Sequence, residues 1–313
     1  MTEASAPGKV ILFGEHAVVY GYPAIAAPVS QVRATARVVA GAVDGVRIVA
    51  RDLGETYWLA QAPQEDPLAA AVRLVQATLA LPRLPNLTIS VRSNIPIASG
   101  MGSGAATTAA LIRALLLHLE RPDLAQAAHV SDLTYEIEKI HHGTPSGIDN
   151  TVVTFEKPVY FVRRQPENLV ETFPVAQPLH LLIGDTGVRS STRDVVGDVR
   201  RQWQADPARF QGLFAACGRI AEAARQAIEA GKLNQLGVFM QENQAWLREM
   251  SVSAPELEWL VETAVAAGAL GAKLSGAGRG GNMIALVMPE QEEAVRAALL
   301  AAGAHQVLAS TVR

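Results

Sequence analysis

The chain has 313 residues, 49% hydrophobic and 18% charged, enough apolar content to bury a sizeable core and too much for a disordered chain. Lys and Arg number 27 against 30 Asp and Glu, and a net charge of −3 argues against a generic nucleic-acid binder, which needs a clustered basic surface. One cysteine, Cys217, excludes an intramolecular disulfide framework and a cysteine-based zinc site, and it suits a reducing compartment.

In chain order, residues 10–13 read as a short buried strand, and 31–39 and 46–50 as strands around a turn at 41–45. Residues 66–79 have helical apolar spacing, 87–91 form a strand, and 103–119 and 131–140 form helices. Strands follow at 158–162 and 179–183. The longest helix spans 206–230, with Asp206 as N-cap and Pro207 at the first helical position. Helices at 233–250 and 255–266, a strand at 284–288, a helix at 291–301 and a strand at 305–310 complete the chain. A strand-rich first half followed by helices predicts an α+β protein. At about 150 residues per domain the length implies two domains, and the polar, proline-containing segment 163–178 is the expected boundary. The first residues lack a basic region followed by an apolar one. Apolar 105–119, broken by Arg113 and His118, is too short to cross a bilayer. We therefore expect a cytoplasmic protein with no membrane partner.

The 25 glycines are clustered. One cluster runs from Gly8-Lys9 to Gly14-Glu15-His16. A second is Ser99-Gly100-Met101-Gly102-Ser103-Gly104-Ala105, at the start of a helix. The third is Ser275-Gly276-Ala277-Gly278-Arg279-Gly280-Gly281. Helix N-termini present unpaired N–H groups and partial positive charge, so the second cluster suits a phosphate cradle or, equally, a glycine turn entering a buried helix. It is not a Walker loop, since no G-x-x-x-x-G-K-[ST] run occurs. It fits the dinucleotide fingerprint loosely, but Pro96 and its neighbours separate it from the preceding strand, and Glu120 ends a helix where a strand-end acid is needed. Taken alone, the third cluster reads as a tight strand-connecting turn. A fourth segment holds Glu138, His141, His142 and the run Pro145-Ser146-Gly147-Ile148-Asp149. The turn would present Asp149 on a loop, as a general base, a metal ligand or an Asx turn. Adjacent histidines diverge on a helix, so His141 and His142 read as helix-end caps rather than a shared metal pair.

Together these segments resemble the GHMP kinase superfamily. Residues 6–21, Ala-Pro-Gly-Lys-Val-Ile-Leu-Phe-Gly-Glu-His-Ala-Val-Val-Tyr-Gly with a Tyr-Gly close, are similar to its mevalonate kinase branch. The glycine loops, the 142–149 run, Asp185-Thr186-Gly187-Val188 with Ser191-Thr192, and Val252-Ser253 recur in order, so the resemblance spans the chain. It implies a two-domain fold, an N-terminal ribosomal-S5-like α/β domain at 1–172 and a C-terminal ferredoxin-like domain at 173–313, with the site between them. It implies ATP- and Mg²⁺-dependent phosphorylation of the primary alcohol of mevalonate, no nucleic-acid partner, and compatibility with a homodimer. The alternatives are another small-molecule kinase of the superfamily, acting on the tertiary hydroxyl of mevalonate, a phosphomevalonate or a sugar, or a non-catalytic nucleotide-binding regulator.

By the same resemblance Asp149 is the catalytic base, and Lys9 holds it ionised and polarises the alcohol or γ-phosphate. Residues 99–105 cradle the ATP phosphates. Glu138 and Ser103 are the expected Mg²⁺ ligands. Glu15, His16, Gly147, Thr192, Gly276 and Ala277 line the mevalonate pocket, with His16 donating to the substrate carboxylate and Glu15 accepting from a hydroxyl or orienting Lys9. Thr192 reads equally as a helix N-cap. Two positions depart from the pattern. Gly104 stands where many members have a metal-associated Ser, leaving Ser103 or water for that task, and Arg279 stands where many have Gly, with its side chain expected in solvent.

Overall fold

The computed structural model describes residues 1–96, 100–142 and 145–313, the side chains at 141 and 142 excepted, so Ser99 lies outside the described residues. In chain order the elements are β1 (Thr2–Phe13), β2 (Ala24–Ala40), β3 (Val46–Ala50), β4 (Glu55–Trp58), α1 (Pro67–Thr78), β5 (Leu87–Ser93), α2 (Ser103–His118), α3 (Ala127–His142) and α4 (Ile148–Phe155). They continue as β6 (Val159–Val162), β7 (Leu169–Thr172), β8 (Leu179–Asp185), α5 (Thr192–Ala205), α6 (Pro207–Glu229), α7 (Leu233–Glu249), α8 (Pro255–Ala266), β9 (Gly271–Ser275), β10 (Asn282–Val287), α9 (Glu292–Ala301) and β11 (Gln306–Val312). The class is α+β. No helix among the described residues is long and apolar enough to cross a membrane.

Two compact units form, each from discontinuous stretches of chain. Unit 1 comprises Met1–Gly8, Ser30–Pro96 and Gly102–Glu156. Its β3 pairs parallel with β5 and antiparallel with β4, and β5 pairs antiparallel with β2 over 34–40. The parallel pair is bridged by α1, the usual device for joining parallel strands. Helix α1 starts where expected, because Asp66 accepts from the Ala69 N–H at 2.7 Å and Pro67 fits the first turn. Helix α2 is buried almost all round, with Ala105, Ala109, Leu111, Ile112, Leu115 and Leu116 all in the core.

Unit 2 comprises Lys9–Val29, Ile97–Met101 and Lys157–Arg313. Its four-stranded antiparallel sheet has the order β11-β8-β10-β9, and α5 to α9 supply the helices. Leu182, Phe210, Phe214, Leu257, Leu274, Met283 and Leu299 form its core. Residues 17–22 dock on that core, with Tyr20 stacked on Phe214 at 4.2 Å between ring centroids.

Five elements were not expected: β4, β7, β9, α4 and the full length of α5. The 163–178 segment is not a plain linker, because it contains β7, which pairs antiparallel with β6. Strand β7 is half-exposed: its burial alternates, but its sequence Leu-Val-Glu-Thr runs two apolar residues and then two polar ones, so no period-2 pattern marks it as a strand.

Candidate active site

In unit 2 the last residues of β1 lead into a strained turn. Gly14 has φ +89, and a Cβ there would lie 2.4 Å from the Pro23 carbonyl oxygen, so only glycine fits. Next come Glu15 and His16, the latter itself at φ 59. Such a conformation costs a non-glycine residue of order 1 kcal/mol or more and persists only where neighbours over-determine it. Here they do. Ser275 Oγ accepts from the Ile11 N–H at 3.0 Å and donates to the Ile11 carbonyl at 2.9 Å. The Glu15 carboxylate is paired with Lys273 on β9, both side chains fully buried. His16 Nε2 lies 2.9 Å from the Ala277 carbonyl oxygen.

That last contact fixes a tautomer. A carbonyl only accepts, so Nε2 carries the proton and Nδ1 keeps a lone pair. Burial, with Arg279 nearby, pushes the imidazole down to about 4 against the pull of the Ala277 hydrogen bond. His16 is therefore neutral at pH 7 with its N–H already used. With Nε2–H engaged by Ala277, the ring atom left over is Nδ1, which can only accept. Glu15 likewise does not stand alone. Burial raises its pKa against the opposing pull of Lys273, and burial lowers that of Lys273 against the pull of Glu15.

The third glycine cluster connects β9 to β10 and is folded against two other segments of unit 2. Gly278 has φ +84, and a Cβ there would stand 2.0 Å from the Val252 carbonyl oxygen, so the loop seats on residue 252 only with glycine at this position. Arg279 N–H donates to that same carbonyl at 2.7 Å. Ser190 Oγ donates to Gly278 O at 2.7 Å, and Thr186 N–H and Oγ1 donate to Gly281 O. Gly276 and Ala277 are half-buried. The Arg279 side chain does not point to solvent. It pairs with Asp198 on α5 and donates to Ser251 O at 3.0 Å. Thr192 is not an N-cap: Ser191 caps α5, accepting from the Asp194 N–H, and Thr192 is the exposed first helical residue. Lys9 is buried on β1, and its backbone N–H donates to Met101 O at 3.0 Å.

Unit 1 carries the remaining candidates. Gly102, at φ 70, is the N-cap of α2, so Ser103, Gly104 and Ala105 form its first turn, with their N–H groups free of helical partners as an anion site requires. Gly100 also has positive φ, and Met101 is buried. Glu138, buried on α3, lies beside this turn: a Cβ on Gly104 would be 3.5 Å from Glu138 Oε1. Asp149 is not on a loop. It sits in the first turn of α4, whose N-cap is Gly147 at φ 93, where an acidic side chain complements the helix dipole. Neither α4 nor Lys273 was foreseen. The one signal for Lys273 is a charged residue inside the small-apolar run Gly271-Ala272-Lys273-Leu274.

Comparison with known proteins gives this geometry a family. A family model described as GHMP kinases N terminal domain matches residues 67–157, and one described as GHMP kinases C terminal matches 224–305. The mevalonate kinase of Thermococcus sibiricus is 35% identical over 96% of this chain and 93% of its own length. That of Aeropyrum pernix is 36% identical over 90% and 87%. A crystal structure of L. major mevalonate kinase in complex with R-mevalonate superposes with a TM-score of 0.84 and 32% identity, covering 100% of this chain and 96% of that one. The chain belongs to the GHMP kinases, and within them to the mevalonate kinase family.

Proposed function

We propose that the chain transfers the γ-phosphoryl group of ATP to the primary (C5) hydroxyl of mevalonate, giving 5-phosphomevalonate. The observation that carries this reading is the joining of the Glu15–His16 turn to the glycine loop through Lys273 and Ala277. That turn holds the residues by which the sequence resembles the mevalonate branch, and the similarity to mevalonate kinases covers 96% of the chain. The proposed domains, 1–172 and 173–313, each contain one of the two family-model matches.

Phosphoryl transfer needs alignment, charge neutralisation and a proton acceptor. Asp149 accepts the hydroxyl proton as the oxygen attacks the γ-phosphorus and the bond to ADP breaks. Lys9 offsets negative charge on the transferring group. The first-turn N–H groups of α2 hold phosphate oxygens. His16 Nδ1 accepts from a substrate hydroxyl, and Gly276 and Ala277 offer backbone at close range.

Mg²⁺ fits this donor set. Gly104 brings no side chain into the space beside the Glu138 carboxylate, and one carboxylate with the Ser103 hydroxyl suits an ion that keeps water and phosphate oxygens as its other ligands. When bound, it would neutralise phosphate charge. Among the described residues no group of three or more His, Cys, Asp or Glu gathers as a metal site of its own. Cytoplasmic location and a homodimer remain parts of the proposal; light scattering reads the latter.

The test is ADP release by the purified chain with ATP and Mg²⁺ against mevalonate, phosphomevalonate, galactose and homoserine, with the product's phosphate position read by NMR. Turnover of mevalonate at C5 is expected. Phosphate on the tertiary carbon, or turnover of another substrate alone, refutes the reading.

A further inference from the structure

Lys273 is a fully buried cation that the mechanism above does not use. It lies mid-way along β9, an edge strand whose position is held from two sides. Its partner β10 places Ile284 opposite Lys273, and on α7 the Gln244 side chain accepts from the Leu274 N–H at 2.9 Å. Gln244 is in turn fixed by Ser253 and Glu258. The strand therefore cannot drift. From it the ammonium donates to Glu15 and, at 2.6 Å, to the carbonyl of Leu274. The Glu15 Oε2 atom is buried with no hydrogen-bond partner among the described residues, so Lys273 is the main group that answers this carboxylate, with a smaller electrostatic pull from Lys9.

Removing a charge from water is expensive, and a buried pair is weak evidence for stability in itself. Its position suggests another purpose. Three ties join the end of β1 to β9 and the loop after it: Ile11 to Ser275, Glu15 to Lys273, and His16 to Ala277. The first and last are neutral hydrogen bonds to backbone. Only the middle tie is a charge pair in a dry site, where a small misplacement is heavily penalised. It also acts one residue before His16, which is held at positive φ.

We propose that Lys273 is a positioning residue for the substrate site: by clamping Glu15 it holds the strained 14–17 turn against the 275–281 loop, so that the His16 imidazole and the Ala277 backbone present one rigid surface to the substrate. The proposal rests on the reading that this turn and loop meet mevalonate. Lys273 touches no reacting atom. It acts through Glu15, and the burial-shifted pKa values of both groups are consistent with a site closed to water. Nearby Cys217, pushed up to about 12 by burial, adds no competing charge.

The experiment compares Lys273→Met, Glu15→Gln and the double variant with the wild-type chain. Misplacement of a binding group by a distant change costs on the order of tenfold to a hundredfold. We expect K273M to raise the mevalonate KM by that factor, with the ATP KM held within about twofold and kcat less affected. Because the residues act as one device, the double variant should be no worse than E15Q. It buries no unpaired charge, so it serves where K273M alone does not fold. Long-range ¹⁵N–¹H spectra of the histidines, with His16→Asn for assignment, give an activity-independent readout. The wild-type His16 signal should show the fixed Nε2–H tautomer, and the double variant an averaged one. Effects of K273M and E15Q that multiply overturn the proposal, as does a folded K273M with wild-type KM and an unchanged His16 signal. If the wild-type chain leaves mevalonate untouched while His16 responds, the substrate reading falls and the clamp stands.

Discussion

Replacing Gly278 by Ala tests whether the loop geometry is as tight as described. Two costs follow. The first is conformational: φ of +84 places a Cβ in the left-handed region, at roughly 1–2 kcal/mol. The second is steric. The new methyl would sit 2.0 Å from the Val252 carbonyl oxygen, and backbone is on both sides, so the loop must retreat by more than an ångström. Overpacking of that kind costs about 1–3 kcal/mol. The sum is about 2–5 kcal/mol. Retreat also stretches the Arg279 N–H bond to the same carbonyl. Gly276→Ala is the control, since φ there is +97 but nothing lies within 4 Å of its Cβ. It bears the first cost alone. At about 2.1 cal/mol/K of unfolding entropy per residue, each kcal/mol moves the Tm of a chain this long by roughly 1.5 °C. Calorimetry should therefore place G278A below G276A by about 1.5–5 °C. Equal losses for the two variants would refute the steric argument and with it the close seat of the loop on Val252.

Three further outcomes can be checked. Asp149→Asn should lower kcat by about 10²–10⁴-fold while ATP binding, followed by calorimetric titration, is largely kept; a nearly active variant removes Asp149 as base. His16 has a pKa lowered from 6.5 to about 4, so in that window the unfolded chain takes up a proton that the native state refuses. Stability then falls with decreasing pH by at most about 1.4 kcal/mol per unit from this group, and stops falling on that account below pH 4. Urea midpoints of wild type and His16→Gln measured from pH 7 to 4 should converge as pH falls, and parallel curves would contradict a buried neutral imidazole. Arg279→Ala and Arg279→Gly both lose the Asp198 pair, but only glycine relieves φ of 54, so R279G should be the more stable by about 1 kcal/mol in denaturant titration.

What could be read from the sequence was what local chemistry decides. Helix α8 begins at Pro255 and α6 at Pro207 after Asp206 because a proline and a capping carboxylate act within one turn. Helix α4 was hidden by the Pro-Ser-Gly run ahead of it, since Gly147 reads as a loop residue and is also able to cap a helix at φ 93. Strand β9 has no alternation to find, because all five of its residues are buried. The site was legible as types and order, Glu-His here and a glycine loop there. Its internal wiring was not. The partner of Glu15 lies 258 positions away, and an isolated lysine in a small-apolar run has no local signature of an ion pair.

That separation also sets a clock. Residues 9–29 belong to the unit completed by 157–313. At about 5–20 residues per second, a ribosome needs roughly 13–50 s between releasing Glu15 and releasing Lys273. For that interval the nascent turn has neither its counter-charge nor its strand. The stretches of the first unit have all emerged by Glu156, but the unit that holds the Glu15–His16 turn is completed only by residues 157–313.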